Sequence, residues 1–164
     1  ALHYLSAAIT FDPLVTIVGA EEASRVVWLD AFTLNVDRTA RNTNLLRWHQ
    51  ELWLIDHGAA LYVHHIGPGW EAVERRPFPQ IKDHVLLPRA TELIAADALA
   101  HERLTPEVLG AIVALVPDEW LTSAAGPDSS AAAQRAAYVH FLTQRLAGSA
   151  TFVEEAEAAR RARG

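Results

Sequence analysis

Three oxygen-bearing side chains in this sequence could do chemistry together: Asp37, then Asn42 in the spacing Asp-x-x-x-x-Asn, then Asp56 in Ile55-Asp56-His57-Gly58. A carboxylate, an amide and a second carboxylate are parts that phosphoryl transfer from a nucleotide requires. That reaction rests on positioning and on neutralising phosphate charge, with little covalent chemistry for the protein to perform. A carboxylate beside the acceptor hydroxyl orients it and takes its proton. Mg2+ is small, hard and octahedral, and takes a few oxygen ligands plus water. Arg38 and Arg41, in the same loop, are candidates to pair with phosphate or with Asp37. Gly58 permits a sharp turn after Asp56. The spacing Asp-x-x-x-x-Asn alone has little specificity, because Asp37, Asn42 and Asn44 are also ordinary turn formers. The ordered set carries the information.

The elements that must position these groups follow from hydrophobic spacing. From Glu21 to Asn35, Val27, Ala31 and Leu34 share a face that Trp28 and Phe32 widen, which predicts a helix delivering the chain to Asp37. Leu45–Trp48 and Leu52–Ile55 are apolar runs on either side of His49-Gln50-Glu51. They predict a hairpin, although the turn lacks Asn-Gly or Asp-Gly. Asp37 and Asn42 then precede the hairpin, and Asp56 ends its second strand. After Gly58, a short helix over Ala59–Val63 is expected. Gly67-Pro68-Gly69 and Pro77-Phe78-Pro79 then mark a loop region.

Helices dominate the rest. One is expected over Arg89–His101. A second has Thr105 as cap, Pro106 first and Glu107 in its first turn, and stops at Pro117. Its apolar face is Val108, Leu109, Ile112, Val113 and Val116. A short helix around Asp118–Thr122 follows, then a long one over Ser129–Ala147, opened by Gly126-Pro127-Asp128 and closed by Gly148. Thr151–Arg161 is the last, with Glu157 and Arg161 as an i,i+4 pair. The fold class is mainly α with a small β-hairpin, and residues 1–164 form a single helical domain.

A length of 164 residues suits one domain with its own core. The net charge of −6 argues against a nucleic-acid surface. Without cysteine there are no disulfides or thiolate metal sites. No apolar run approaches the roughly 18 residues of a membrane helix, and the first residues lack the basic region of a signal peptide. A cytoplasmic protein with no nucleic-acid or membrane partner is expected. Arginine in place of lysine and heavy alanine usage fit a GC-rich bacterial source.

Other candidates carry less. His57, His64 and His65 lie near Asp56, but zinc needs three or four converging ligands and the spacing His-Glu-x-x-His is missing, so they read as surface groups. No Gly-x-Ser-x-Gly elbow supports a serine hydrolase. The tryptophans are expected mostly in the core. The exception is Trp70, placed in the Gly-Pro-Gly loop to contact substrate or pin that loop. Arg75-Arg76 reads as a solvated pair. Lys82-Asp83-His84 reads as a turn with local hydrogen bonds; the functional alternative is a substrate contact or a brace for the loop after Asp56.

The string from Trp28 to Asn42, Trp-Leu-Asp-Ala-Phe-Thr-Leu-Asn-Val-Asp-Arg-Thr-Ala-Arg-Asn, resembles the catalytic loop of HipA-like kinases, which has the form Asn-x-Asp-x-x-x-x-Asn after an apolar helix. The segment Leu52 to Leu61 resembles the metal-binding segment that follows that loop. It is also similar to the Ile-Asp-x-Gly segment of phosphoinositide kinases. The match covers about Arg25 to His65. The resemblance implies the C-terminal lobe of a kinase-like fold, with Asp37 as the catalytic carboxylate and Asn42 and Asp56 as Mg2+ ligands. Arg38 and Arg41 would contact the nucleotide. It further implies transfer of the γ-phosphoryl group of ATP to a hydroxyl acceptor, either protein or small molecule. His57 stands where the common kinase motif has Phe.

The nucleotide-holding half of such an enzyme is not visible in these residues. Kinase-type sites place a Gly-rich loop and a phosphate-binding lysine before the catalytic loop. Here the only lysine, Lys82, follows both motifs, and Ala1–Val36 has no clustered glycines. Together with the absence of Met, this predicts a piece of a longer chain whose N-terminal nucleotide-binding lobe is the missing partner, so that this lobe alone lacks the usual nucleotide anchor. The alternative, motivated by the missing lysine and the negative charge, is a non-catalytic helical interaction module or a relic kinase lobe.

Overall fold

Helix α1, Ala20–Phe32, buries residues around most of its circumference, among them Ala23, Val27, Trp28, Asp30 and Ala31. A helix buried on most of its sides belongs in the interior, and several of the later helices pack against it. The computed structural model describes residues 5–62, 76–124 and 130–163, apart from the side chains of 122–124. The first turn of α1 carries Glu21 and Glu22, which complement the helix dipole.

α1 ends earlier than its hydrophobic pattern suggests. Leu34 takes the left-handed conformation at φ 57°. Its N–H bonds to the Ala31 carbonyl at 3.4 Å, and the Asn35 N–H reaches the Asp30 carbonyl at 2.8 Å. This is a Schellman ending with leucine where glycine is usual. Leu34 is buried, so apolar contact holds a backbone conformation that a β-carbon disfavours. The turn aims the chain at Asp37.

The predicted hairpin forms from β2 (Leu45–Trp48) and β3 (Glu51–Leu54), paired antiparallel with Leu45 opposite Leu54 and Trp48 opposite Glu51. The turn is tighter than expected: only His49 and Gln50 lie outside the strands, both at positive φ (48° and 67°), as a type I′ turn demands. Trp48 and Trp53 meet edge to face at 5.2 Å, a diagonal cross-strand pair that helps hold this unfavoured turn. A third strand, β1 (Ile9–Thr10), adds antiparallel to β2. At two residues it was too short to show periodicity.

α2 (Leu93–Arg103) starts later than the helix expected from Arg89. Pro88 and its neighbours form a separate 3-10 turn, Leu87–Arg89, preceded by another at Pro79–Asp83. α3 (Pro106–Ala114) is capped as predicted, with the Thr105 side chain accepting from the Val108 N–H. Leu109 and Val113 are buried, whereas Val108 and Ile112 are exposed, so only part of the apolar face packs inward. α4 (Asp118–Ala124) follows Pro117. α5 (Ala131–Ala147) is capped by Ser130, and α6 (Ser149–Arg161) begins directly after Gly148, earlier than expected. Glu157 pairs with Arg160 at 2.8 Å more closely than with Arg161 at 3.8 Å.

The result is a mainly helical chain with a small antiparallel sheet. Trp28 stacks on Phe32 and meets the edge of Phe152 in the core. Trp120, by contrast, is 72% exposed, against the expectation for a core tryptophan. The described part of the helix expected at Ala59–Val63 is a turn, with Leu61 at φ 53°. Val63, His64, His65, the Gly67-Pro68-Gly69 loop with Trp70, Arg75, and Gly126-Pro127-Asp128 lie outside the described residues. Among the described residues, no helix is long and apolar enough to cross a membrane.

Candidate functional site

The Schellman turn leads into a loop held from three sides. At its tip, Thr39 N–H bonds to the Asn42 carbonyl at 2.9 Å, closing residues 39–42 into a turn. Beside it, Thr39 forms an antiparallel bridge with His84, and Val85 N–H bonds to the Arg38 carbonyl at 3.0 Å. At its far end, Ile55 N–H bonds to the Asn44 carbonyl at 3.0 Å, extending the hairpin ladder to the residue before Asp56.

Asp37 sits half-buried at the centre. Its Oδ2 accepts from Asn42 Nδ2 at 2.8 Å and from Asn44 Nδ2 at 3.3 Å. Among the described hydrogen bonds, Oδ1 has none. The Asp37 N–H donates to Asn35 Oδ1 at 3.3 Å. The structure thus brings Asp37 and Asn42 together as the spacing suggested. Asp56 is exposed, stands at φ 49°, and its Oδ1 accepts from the Gly58 N–H at 3.4 Å. A β-carbon at position 58 would lie 3.3 Å from that oxygen, so glycine suits this close approach. Asp56 is not bonded to Asp37 or Asn42; the hairpin only returns it beside Asn44.

Arg38 corrects the sequence reading. Instead of facing a phosphate it is 1% exposed, and its guanidinium is committed to the interior. Nε donates to Asp30 Oδ2 at 2.5 Å, a second nitrogen reaches Asp30 Oδ1 at 3.5 Å, and the third donates to the Asn44 carbonyl. Asp30, fully buried on α1, also accepts from Asn35 Nδ2 at 3.0 Å and from His84 Nε2 at 2.9 Å. A buried carboxylate needs such partners. Arg38 therefore anchors the loop from beneath, while Arg41 remains exposed at its tip.

His84 completes the anchor. Its Nδ1 accepts the Leu86 N–H at 3.0 Å, which leaves the proton on Nε2 to be donated to Asp30. This is the neutral imidazole. Burial holds the His84 pKa below its ordinary value, against the opposing pull of Asp30. For Asp30, burial acts upward, but the hydrogen bonds from His84 and Arg38 outweigh it and keep the carboxyl below its usual range. The brace considered for Lys82-Asp83-His84 thus exists at His84, under the Asp37 loop and not the loop after Asp56. Lys82 and Asp83 are exposed.

A pH dependence follows from His84. Its folded pKa lies below the unfolded value of 6.5, so the unfolded state binds the proton first as pH falls. The stabilising contribution is complete above about pH 6.5 and is lost below it. Urea unfolding at pH 5.5 should show a lower midpoint than at pH 7. His84→Gln should flatten that step; an unchanged slope would assign it to other groups.

An open groove of about 670 Å³ runs beside the loop. Its walls include apolar Phe11, Pro13, Leu45, Leu46 and Ile55, and polar Asp12, Arg41, Asn42 and Asn44. Asp37 and Asp56 do not line it, but Asn42 and Ile55 connect it to both. Among the described residues, no three His, Asp or Glu side chains form a cluster that could hold a metal; His57 is exposed.

Sequence reasoning passed over Asp30 and Arg145, and named Asn44 only as a turn former. Asp30 had a readable signal, standing three residues after Val27 on the apolar stripe of α1, where an unpaired carboxylate would be costly. Arg145 likewise follows Phe141 by one helical turn on a buried face. No protein-family model, curated protein or solved structure matches this chain.

Proposed function

We propose that this chain is the C-terminal catalytic lobe of a HipA-like, ATP- and Mg2+-dependent kinase that transfers the γ-phosphoryl group to a hydroxyl acceptor, protein or small molecule. The observation that carries this reading is the Asp37 carboxylate, held on one oxygen by two amides. Its other oxygen remains to orient an acceptor hydroxyl and take its proton. The anchor of Asp30, Arg38 and His84 fixes the loop without occupying that oxygen.

The donor chemistry fits magnesium. Asn42 turns its nitrogen toward Asp37, which leaves Oδ1 as a hard donor, and exposed Asp56 keeps Oδ2 beyond its bond to Gly58. Mg2+ held there would neutralise phosphate charge. The groove suits the rest of the nucleotide, with an apolar wall of Leu45, Leu46 and Ile55 for a base and Arg41 for phosphate oxygens.

The test uses the polypeptide as its gene encodes it, incubated with γ-labelled ATP. Label transfer to protein or water is expected with Mg2+, to vanish with EDTA and to return on adding excess Mg2+. The absence of both label transfer and Mg·ATP binding would defeat the reading. It would favour the non-catalytic helical module, for which exposed Ile112 (50%), Leu115 (82%) and Trp120 (72%) offer an interaction surface.

A further inference from the structure

The C-terminal end of α1 is the point from which the Asp37 loop is aimed, and Arg145 of α5 is built into it. Arg145 is 1% exposed. Its Nε donates to the Phe32 carbonyl at 2.9 Å and the Ala31 carbonyl at 3.2 Å, and a terminal nitrogen reaches Ala31 O at 2.6 Å. These carbonyls belong to the last turn of α1, the negative end of its dipole. The guanidinium also lies over the Phe152 ring, 4.8 Å from its centroid. Burial pushes the Arg145 pKa down to about 10, offset by Tyr62 and Glu155, so the group stays charged at neutral pH.

Two chain segments converge on this helix end. Leu61 N–H, downstream of Asp56, bonds to the Thr33 carbonyl at 2.7 Å. The Arg76 carbonyl accepts from another Arg145 nitrogen at 3.1 Å. The chain leaving Asp56 and the chain arriving at Arg76 are therefore both tied to residues 31–33, immediately before the strained Leu34 and the Asn35–Asp37 approach.

We infer that Arg145 is a positioning residue for Asp37. It locks the end of α1, and with it the left-handed turn at Leu34, to Arg76, and this fixed helix end is the one to which the Leu61 N–H ties the segment after Asp56, so that the two carboxylates keep one mutual setting. The inference rests on the phosphotransferase reading for its catalytic meaning, but the mechanical coupling stands on the hydrogen bonds alone. Arginine is needed because one planar fork serves carbonyls in two directions, which a lysine ammonium cannot copy. A residue that only capped α1 would stabilise the fold without setting the rate.

The test compares wild type with Arg145→Lys, which keeps the charge and loses the fork. Arg145→Gln serves as a second variant if lysine fails to fold. Hydrogen exchange is expected to quicken at the Leu61 N–H and across residues 33–37, while the interior of α5 keeps its protection. In the labelled-ATP assay, kcat per folded molecule is expected to fall about tenfold or more, with KM for ATP within about twofold. Faster exchange confined to α5, or a lowered Tm with kcat unchanged, overturns the inference. Failure of the phosphotransferase reading looks different: wild type transfers no label. That result removes the catalytic meaning of Arg145, while exchange still reports the coupling.

Discussion

Asp30→Ala is expected to destabilise the protein by about 3–5 kcal/mol, the cost of leaving a buried charge without its partner. The carboxylate accepts from Arg38, Asn35 and His84, all buried, and none of these donors can turn to water when it is removed. A domain of ordinary stability has about 5–15 kcal/mol in all, so urea unfolding should show a large drop in midpoint. The exposed pair of Arg25 and Glu21 makes the comparison, since its side chains are 55% and 67% accessible. Glu21→Ala should change stability by less than about 1 kcal/mol. Similar losses for the two variants would show that the buried cluster is not the anchor described here. The double replacement Asp30→Leu with Arg38→Met removes both charges together, and buried pairs exchanged for apolar groups of similar size often lose no stability. It should recover part of the midpoint, since the Asn35 and His84 donors stay unpaired, while leaving the loop without its fixed direction, which separates holding the fold from aiming Asp37.

What could be read from the residues divides along physical lines. Long periodic segments were legible: α1, the hairpin strands, and the helix capped by Thr105 all follow from spacing and end chemistry. So was the meeting of Asp37 with Asn42, because a short turn leaves such a spacing few conformations. The end of α1 was not legible. Continuing apolar residues hide a Schellman turn when leucine, not glycine, takes the left-handed position. The His49-Gln50 turn escaped for the same reason, since neither residue advertises positive φ. Arg38 misled because an arginine beside a catalytic-looking aspartate suggests phosphate. Its partner, Asp30, lies eight residues earlier in the last turn of α1, with the left-handed turn at Leu34 between them. Arg145 escaped because only tertiary packing brings it to its carbonyl partners, more than a hundred residues away in α1 and 69 away at Arg76.

Asp37→Asn should have nearly the opposite effect to the loss of Asp30: little change in stability and a fall in transfer rate of roughly 10²–10⁴-fold, the usual contribution of a positioned general base. The amide oxygen of asparagine can still accept from Asn42 and Asn44, so the contacts that hold the side chain survive. The other position changes from oxygen to NH2, which donates where an acceptor hydroxyl needs a group that accepts. Alanine at this position would be a poorer probe, because it would also release both amides and confuse a lost proton acceptor with a loosened loop. The expected signature is a lowered kcat, KM for ATP nearly unchanged, and a urea midpoint close to wild type. Transfer within about threefold of wild type would remove Asp37 from the catalytic role. Two carboxylates on one short stretch of chain thus receive separate tests, because Asp30 is surrounded by donors on all its described sides whereas Asp37 keeps one oxygen without a described partner.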